Sequence, residues 1–150
     1  MDTLDTKKVS KIILLKRNRV LLLFSERLQK FQFPGGHLNV DESYIDALKR
    51  ELFEETGLKL ATHKIFFKKT DFVLYYGSAK PGIVKLSKEH SKYVWADLND
   101  IHKYPLCKFT KRDMNSFLKY KSPKKKSPPK EESGIEDSKK WYKIYSCESV

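Results

Sequence analysis

The chain has 150 residues, of which 39% are hydrophobic and 33% charged, and its formal net charge is +12. This length fits one domain with a core of ordinary size. The isolated cysteines, Cys107 and Cys147, argue against a disulfide framework and against a cysteine-ligated zinc site. The sequence shows no signal-peptide pattern and no run near the about 18 apolar residues of a membrane span. We therefore expect an intracellular, cytoplasmic protein with no membrane partner, and the nucleus is the alternative compartment.

Two apolar runs begin the predicted sheet. Val9 to Leu15 and Val20 to Phe24 are rich in aliphatic residues, and the short polar segment Arg17-Asn18-Arg19 separates them. This pattern predicts a β-hairpin. The next segment, Phe33-Pro34-Gly35-Gly36, predicts a tight loop, because glycine permits conformations and backbone approaches that a side chain forbids. We expect a phosphate-bearing ligand to approach the chain there.

A helix is predicted from Tyr44 to Thr56. Ser43, with Asp46 three residues later, resembles a capping box at its start. Gly57 can adopt the left-handed conformation that ends a helix. An apolar stripe along this segment predicts packing against a core; it consists of Ile45, Leu48 and Leu52.

Three glutamates share one side of this helix. At about 100° per residue, Glu51, Glu54 and Glu55 fall within an arc of roughly 100°. Like charges four residues apart repel by about 0.2–0.5 kcal/mol in water, and by more when partly buried. A bound cation accounts for such a cluster, and hard oxygen ligands without a thiolate favour Mg²⁺ or Mn²⁺. The alternative is a solvated helix face, which is what most charge runs are.

The remaining apolar segments predict three more strands and a second helix. The strands are expected at residues 58–70, 71–79 and 93–96, and the helix at residues 110–120. Because strands lie on both sides of one central helix without regular βαβ alternation, the pattern favours an α+β fold with a mixed sheet.

The composition changes at Lys121. The segment from Lys121 to Gly134 is rich in lysine, serine and proline, and it cannot bury enough apolar surface to fold. An aromatic patch follows at residues 141–145, for which folding back onto the domain and binding a partner are the two alternatives. We therefore predict a folded domain over residues 1–120 and a largely disordered tail over residues 121–150.

One long pattern resembles a known family. Gly36 is followed after five residues by Glu42, and after seven more by the run from Arg50 to Leu58, RELFEETGL. This arrangement resembles the Nudix box, with every defining position filled. The resemblance implies a single domain with an α/β/α sandwich and a mixed sheet. It also implies an enzyme that hydrolyses a pyrophosphate bond in a nucleoside diphosphate linked to another group, such as a nucleoside triphosphate or a dinucleoside polyphosphate.

The resemblance also implies roles for the residues of the box. Glu51, Glu54 and Glu55 become the ligands of Mg²⁺ or Mn²⁺, and the alternative for one of them is to polarise the attacking water. Glu42 and Arg50 pair and brace the glycine loop against the helix. Gly35 and Gly36 then lie beside the phosphates of the nucleotide substrate.

Two residues after the box are further candidates. Glu89 lies in a predicted polar loop before the last strand, where it is predicted to act as a base or as another metal ligand. Its alternative is a solvated loop carboxylate. For His90, a surface or hydrogen-bonding role is favoured over a role in the site.

The substrate is left open by the sequence. The basic charge favours polyanionic ligands, so an RNA 5′-end pyrophosphohydrolase or decapping enzyme is an alternative to an enzyme of small nucleotides. A non-catalytic nucleotide-sensing module is the third hypothesis. Three aromatic residues are candidates for stacking on a base, but the sequence favours a place in the hydrophobic core for them; they are Phe33, Tyr75 and Tyr76. The oligomeric state is not predicted.

Overall fold

The computed structural model describes the backbone of residues 4–121 and the side chains of residues 7–121. Seven strands and one α-helix lie in the part of the chain that ends at Cys107, which forms one compact unit. In chain order these elements are β1 (Leu4–Lys16), β2 (Arg19–Ser25), β3 (Lys30–Gln32), β4 (Gly35–Asn39), α1 (Tyr44–Thr56), β5 (Leu60–Lys69), β6 (Phe72–Ala79) and β7 (His90–Asp97), followed by a 3₁₀ helix, Leu98–Lys103.

The seven strands of this unit belong to one mixed sheet. Its main path runs β3-β2-β1-β6-β5, with β4 paired to β1 and β7 paired to β2. The pairing of β1 with β6 is parallel, and the other pairings are antiparallel. The mixed α+β architecture predicted from the sequence is therefore confirmed.

The predicted hairpin is present as β1 and β2. Leu15 pairs with Val20, and Lys16 pairs with Arg19. Arg17 has a positive φ of 59°, the left-handed conformation that a tight turn between strands requires. The polar segment therefore forms the turn, and the aliphatic residues Ile12 to Leu14 and Val20 to Leu23 on either side of it are buried.

The glycine segment is not the loop that we predicted. Gly35 and Gly36 are the first residues of β4, where they pair with Lys11 and Ser10 of β1. The turn is confined to the residues before them. Gly35 has a φ of 135°, and a Cβ there would lie 2.1 Å from the Ser10 carbonyl oxygen. The glycine thus allows two strands to approach closely, which is a use of glycine that the sequence pattern does not distinguish from a loop.

Helix α1 has the predicted bounds. The Ser43 side chain accepts a hydrogen bond from the Asp46 N–H, and Gly57 ends the helix with a φ of 77°. Leu48 and Leu52 are fully buried. They pack in a core cluster with side chains from β1, β2 and β6, among them Ile12, Leu14, Leu21, Leu23 and Val73. The predicted apolar stripe therefore fixes α1 on one face of the sheet.

The strands after α1 follow the prediction within a few residues, except at the last one. That strand, β7, begins at His90 and pairs with Ser25 of β2 at this residue. Glu89 lies in the turn just before it. The strand therefore starts three residues earlier than predicted, and this earlier start places His90 in the sheet instead of in a loop.

Helix α2 spans Lys108–Lys121 and belongs to a second compact unit that begins at Lys108. Within it, Met114 and Phe117 of the predicted apolar face are buried. No helix among residues 4–121 is long and apolar enough to cross a membrane. The predicted disorder of residues 122–150 and their aromatic patch lie outside the described residues, and the domain boundary at residue 120 stays a prediction.

Candidate active site

The carboxylates of α1 face the start of β4. Glu55 is 6% exposed, and its Oε1 accepts a hydrogen bond of 3.0 Å from the Gly35 N–H. The close pairing of Gly35 with β1 brings this N–H to the helix. A buried glutamate therefore lies directly against the backbone of the glycine pair.

Glu55 lies beside two residues of the β7 region. A carboxylate oxygen of Glu55, one of Glu89 and a ring nitrogen of His90 all lie within 4.8 Å of one another. Glu89 is exposed, whereas His90 is only 7% exposed. The tertiary structure thus places Glu89 beside Glu55 and adds His90, for which the sequence favoured a surface or hydrogen-bonding role. The role of Glu89 as a base or metal ligand stays a prediction.

The two other glutamates of the helix differ in burial. The Glu51 side chain is 18% exposed and the Glu54 side chain 56%. A Cβ on Gly36 would lie 2.6 Å from the Glu51 carboxylate carbon, so Glu51 is held against the glycine pair. Glu54 lies toward solvent. The ligand roles predicted for both residues stay predictions.

Arg50 connects the helix to the chain before it. Its Nε and Nη2 each donate 2.9 Å hydrogen bonds to the two carboxylate oxygens of Glu42, and Nη2 also donates to the His37 carbonyl oxygen at 3.0 Å. Nη1 lies 3.2 Å from carboxylate oxygens of both Glu51 and Glu54. The predicted pair with Glu42 is present, and the same guanidinium orients two carboxylates of the cluster.

Replacing Arg50 by lysine is expected to remove the bidentate pair, because an ammonium group has no planar fork. We expect the free energy of unfolding to fall by roughly 1–3 kcal/mol and kcat to fall about tenfold as Glu51 and Glu54 lose their orientation. Arg112→Lys is the matched control, since Arg112 is half exposed and pairs with the adjacent Asp113 in the second compact unit of the chain. Equal losses in the two variants, in thermal unfolding and in kcat, would contradict the bracing role.

Lys11 is a site residue that the sequence analysis missed. Its Nζ donates to the Phe33 carbonyl oxygen at 3.2 Å. Burial lowers its pKa, and the negative charges of Glu55 and Glu51 act in the opposite direction. The available signal was a lysine inside the predicted apolar run from Val9 to Leu15. Lys11 thus adds a positive charge that interacts with Glu55 and Glu51.

The protonation of the cluster reflects its burial. Burial raises the pKa of Glu55 to about 8, against the hydrogen bond from Gly35 and the charge of Lys11. Burial also raises the pKa of Glu51, although Arg50 opposes the shift. For Glu42, the hydrogen bond from Arg50 lowers the pKa. Burial lowers the pKa of His90, which favours a neutral ring with one free lone pair. Clustered carboxylates and a neutral imidazole form a donor set that fits a divalent cation.

The contact between Gly36 and Glu51 gives a second prediction. In Gly36→Ala the new methyl group would lie within 3.0 Å of the Glu51 carboxylate, so the Glu51 side chain must move. The backbone at residue 36 stays unstrained, because its φ is not positive. Because small misplacements of site groups are costly, we expect kcat to fall roughly tenfold or more with Tm nearly unchanged.

Gly82→Ala is the control for this variant. A Cβ there would lie 3.3 Å from the end of the flexible Leu58 side chain and in ordinary contact with the Lys80 carbonyl oxygen at 3.8 Å, and we expect wild-type turnover. Wild-type kcat in Gly36→Ala would contradict the placement of Glu51 in the site.

The aromatic residues considered for base stacking are mostly core. Phe33 is 3% exposed and Tyr75 5% exposed, and Tyr75 belongs to the core cluster of α1. Tyr76 is half buried, and its ring contacts Phe66 edge to face at 6.3 Å. The preferred interpretation from the sequence therefore agrees with the burial of these side chains.

The sequence profile of the NUDIX domain matches residues 5–119. The chain belongs to the Nudix family. It is a Nudix-type pyrophosphohydrolase, as the box predicted, and hydrolysis of pyrophosphate bonds in derivatives of nucleoside diphosphates is the activity of this class. The match extends over both compact units of the chain.

Three known proteins illustrate the similarity. An 8-oxo-dGTP diphosphatase from Buchnera aphidicola subsp. Schizaphis graminum is 31% identical over 99 residues, which are 59% of this chain and 75% of that protein. An RNA pyrophosphohydrolase from Thioalkalivibrio sulfidiphilus is 38% identical over 65 residues, or 42% of this chain and 38% of its own length. A crystal structure from Chromobacterium violaceum assigned to the Nudix hydrolase family superposes with a TM-score of 0.67 at 22% identity, over 80% of this chain and 81% of that one. The Nudix fold is thereby confirmed.

Proposed function

We propose that this Nudix protein hydrolyses the pyrophosphate bond of a small nucleotide, of the nucleoside triphosphate type, with Mg²⁺ or Mn²⁺ as its cofactor. The observation that carries the proposal is the convergence of Glu55, Glu89 and His90 within 4.8 Å, next to the backbone of the glycine pair. Such a site presents cation ligands and a close backbone approach side by side, which are the two requirements for binding a pyrophosphate.

The site residues divide into ligands, an orienting residue and a base. Glu55, which is buried, and Glu54, which is exposed, would hold the cation together with Glu89 of the turn before β7. When bound, the cation neutralises charge on the phosphates and on the developing transition state. Arg50 holds the carboxylates in place through the contacts described above.

Glu51 is the proposed proton acceptor for the attacking water. Its carboxylate lies against Gly36, the proposed position of the phosphates. Burial raises the pKa of Glu51, and the charge and hydrogen bond of Arg50 oppose that shift and favour the anionic form. An anionic carboxylate oriented by a hydrogen bond is suited to accept a proton from water at the moment of attack. The water itself attacks phosphorus, and the phosphate oxygen that leaves carries the charge away.

The choice of a small substrate rests on where basic groups lie. Lys11 of β1 acts on the charges of Glu55 and Glu51. Exposed lysines occur on α1, β5 and the 3₁₀ helix, at Lys49, Lys64, Lys68 and Lys103. This distribution over separate elements favours a short polyanion over a long one.

An RNA 5′ end is the second candidate substrate. The net charge of +12 attracts a polyanion of either length, and one relative is named RNA pyrophosphohydrolase. A non-catalytic sensing module is disfavoured, because it has no need of the complete set formed by Arg50, Glu51, Glu54 and Glu55.

A substrate panel tests the proposal. Purified full-length protein with Mg²⁺ is offered nucleoside triphosphates, 8-oxo-dGTP, dinucleoside polyphosphates and RNAs with triphosphate or capped 5′ ends, together with the variant Glu54→Gln. We expect metal-dependent cleavage of a small nucleotide that Glu54→Gln lowers by orders of magnitude. Preferential cleavage of RNA ends would favour the second candidate, and no turnover across the panel or an unaffected variant would overturn the proposed activity.

A further inference from the structure

His90 has a buried polar atom without a protein partner. The residue is 7% exposed, and its Nδ1 makes no hydrogen bond to any residue in the described part of the chain. Such groups are rare, since an unsatisfied buried polar atom has lost its hydrogen bonds to water without gaining a replacement. The Nδ1 atom of His90 therefore requires a partner that the described protein groups do not supply.

The acidic neighbours of this ring indicate what the partner is. A ring nitrogen of His90 lies within 4.8 Å of carboxylate oxygens of both Glu55 and Glu89. Ligands that are each about 2.0–2.2 Å from one ion lie at most about 4.4 Å apart, so small side-chain adjustments are enough to bring all three atoms onto a single cation.

Gln32 can fix the tautomer of the imidazole. Its amide nitrogen lies 3.5 Å from His90 Nε2, and a 180° rotation of the amide presents the oxygen there instead. With that oxygen accepting from Nε2–H, the lone pair is on Nδ1. This resembles the common arrangement in which the second ring nitrogen of a metal-bound histidine donates to a neighbouring acceptor.

We propose that His90 is a nitrogen ligand in a mixed site with Glu55 and Glu89, and that this site selects a divalent transition-metal ion such as Mn²⁺ over Mg²⁺. Mg²⁺ strongly prefers oxygen ligands and retains several waters, whereas first-row transition ions accept imidazole together with carboxylate. The inference rests on the proposed function only in taking this cluster as the metal centre.

Mn²⁺ bound to the metal-stripped, full-length protein provides the test. Pulsed EPR of the complex is expected to show coupling to a directly bound ¹⁴N nucleus, which changes to ¹⁵N coupling when the histidines are labelled with ¹⁵N. This readout needs neither a substitution nor turnover. Bound Mn²⁺ without any histidine nitrogen coupling would overturn the assignment.

The variant His90→Gln tests the selectivity. By titration of the free Mn²⁺ signal, we expect its Mn²⁺ affinity to fall at least tenfold while the Mg²⁺ affinity, measured by competition, changes less than threefold. His102→Gln is the control, because His102 is exposed on the 3₁₀ helix, and it should retain both affinities and the nitrogen coupling. An equal loss for the two ions in His90→Gln would indicate a purely structural histidine and overturn the proposal.

The substrate panel separates this inference from the proposed function. Nitrogen coupling without turnover of any nucleotide would sustain the His90 ligand and refute the enzyme activity proposed for the cluster. Turnover with Mg²⁺ in a protein whose bound Mn²⁺ shows no nitrogen coupling would support the enzyme activity and refute the His90 ligand.

Discussion

Glu55→Gln is expected to lower kcat at saturating Mg²⁺ by at least about 100-fold. Removing a residue that only orients a metal ligand commonly lowers metal affinity or activity 10–100-fold. Glu55 is itself a proposed ligand, so a larger loss is expected. The substitution is nearly isosteric, and the amide oxygen can still accept the hydrogen bond from the Gly35 N–H. Steady-state kinetics together with titration of the metal should therefore show weaker metal binding in a folded protein.

Asp46→Asn is the matched control for this prediction. It removes one negative charge from the same helix, but Asp46 is exposed in the first turn, far along the helix from Glu55. We expect a turnover within about twofold of wild type, with at most a small loss of stability from the weakened interaction with the helix dipole. Similar kcat values for the two variants would refute a direct role of Glu55.

The stability of the metal-free protein should fall as the pH rises from about 5 to 8. In this window the folded state keeps a proton on Glu55, whose pKa is about 8, whereas an unfolded glutamate with a pKa near 4.3 has lost it. Because the folded state binds more protons, the free energy of unfolding decreases with pH until both forms are ionised. Each pKa unit corresponds to about 1.4 kcal/mol, so the total is on the order of a few kcal/mol.

The comparison with Glu55→Gln isolates this contribution. Burial shifts the pKa of Glu51 in the same sense and that of His90 in the opposite sense, but both groups are present in the two proteins. The lowered pKa of Glu42 stabilises the folded protein at a pH above the pKa of an unfolded glutamate. This contribution is lost only as the pH falls below that value. Thermal unfolding in a chelator from pH 5 to 9 should show Tm of wild type falling relative to the variant by roughly 5 °C or more. Parallel curves would contradict the raised pKa.

Most of the fold followed from local patterns. The bounds of α1 were predicted without error, because both ends are fixed by short-range contacts: the Ser43 side chain with the Asp46 N–H, and the left-handed Gly57. The hairpin of β1 and β2 was similarly specified by its turn. The short strands β3 and β4 were missed, since a strand of three residues and a strand that begins with two glycines carry no periodic signal.

The candidate site was predicted only in part from local sequence patterns. Spacing alone places Glu51, Glu54 and Glu55 on one side of the helix. Their common role as metal ligands stays a prediction, since Glu55 is the member of this set that lies in the cluster with Glu89 and His90. The relative burial of the three was not predicted. It depends on how β4 lies against the helix, and this placement makes Glu55 buried and leaves Glu54 exposed.

By itself the sequence determined the family, the helix that carries the acidic stripe and the pair between Arg50 and Glu42, because each depends on residues close together in the chain. Only the tertiary structure decided that Lys11 and His90 adjoin that stripe. Both lie far from the box in sequence, and the pairing of β1 with β4 and of β2 with β7 brings them to it. Long-range strand pairing depends on the packing of the whole sheet, which no local pattern encodes.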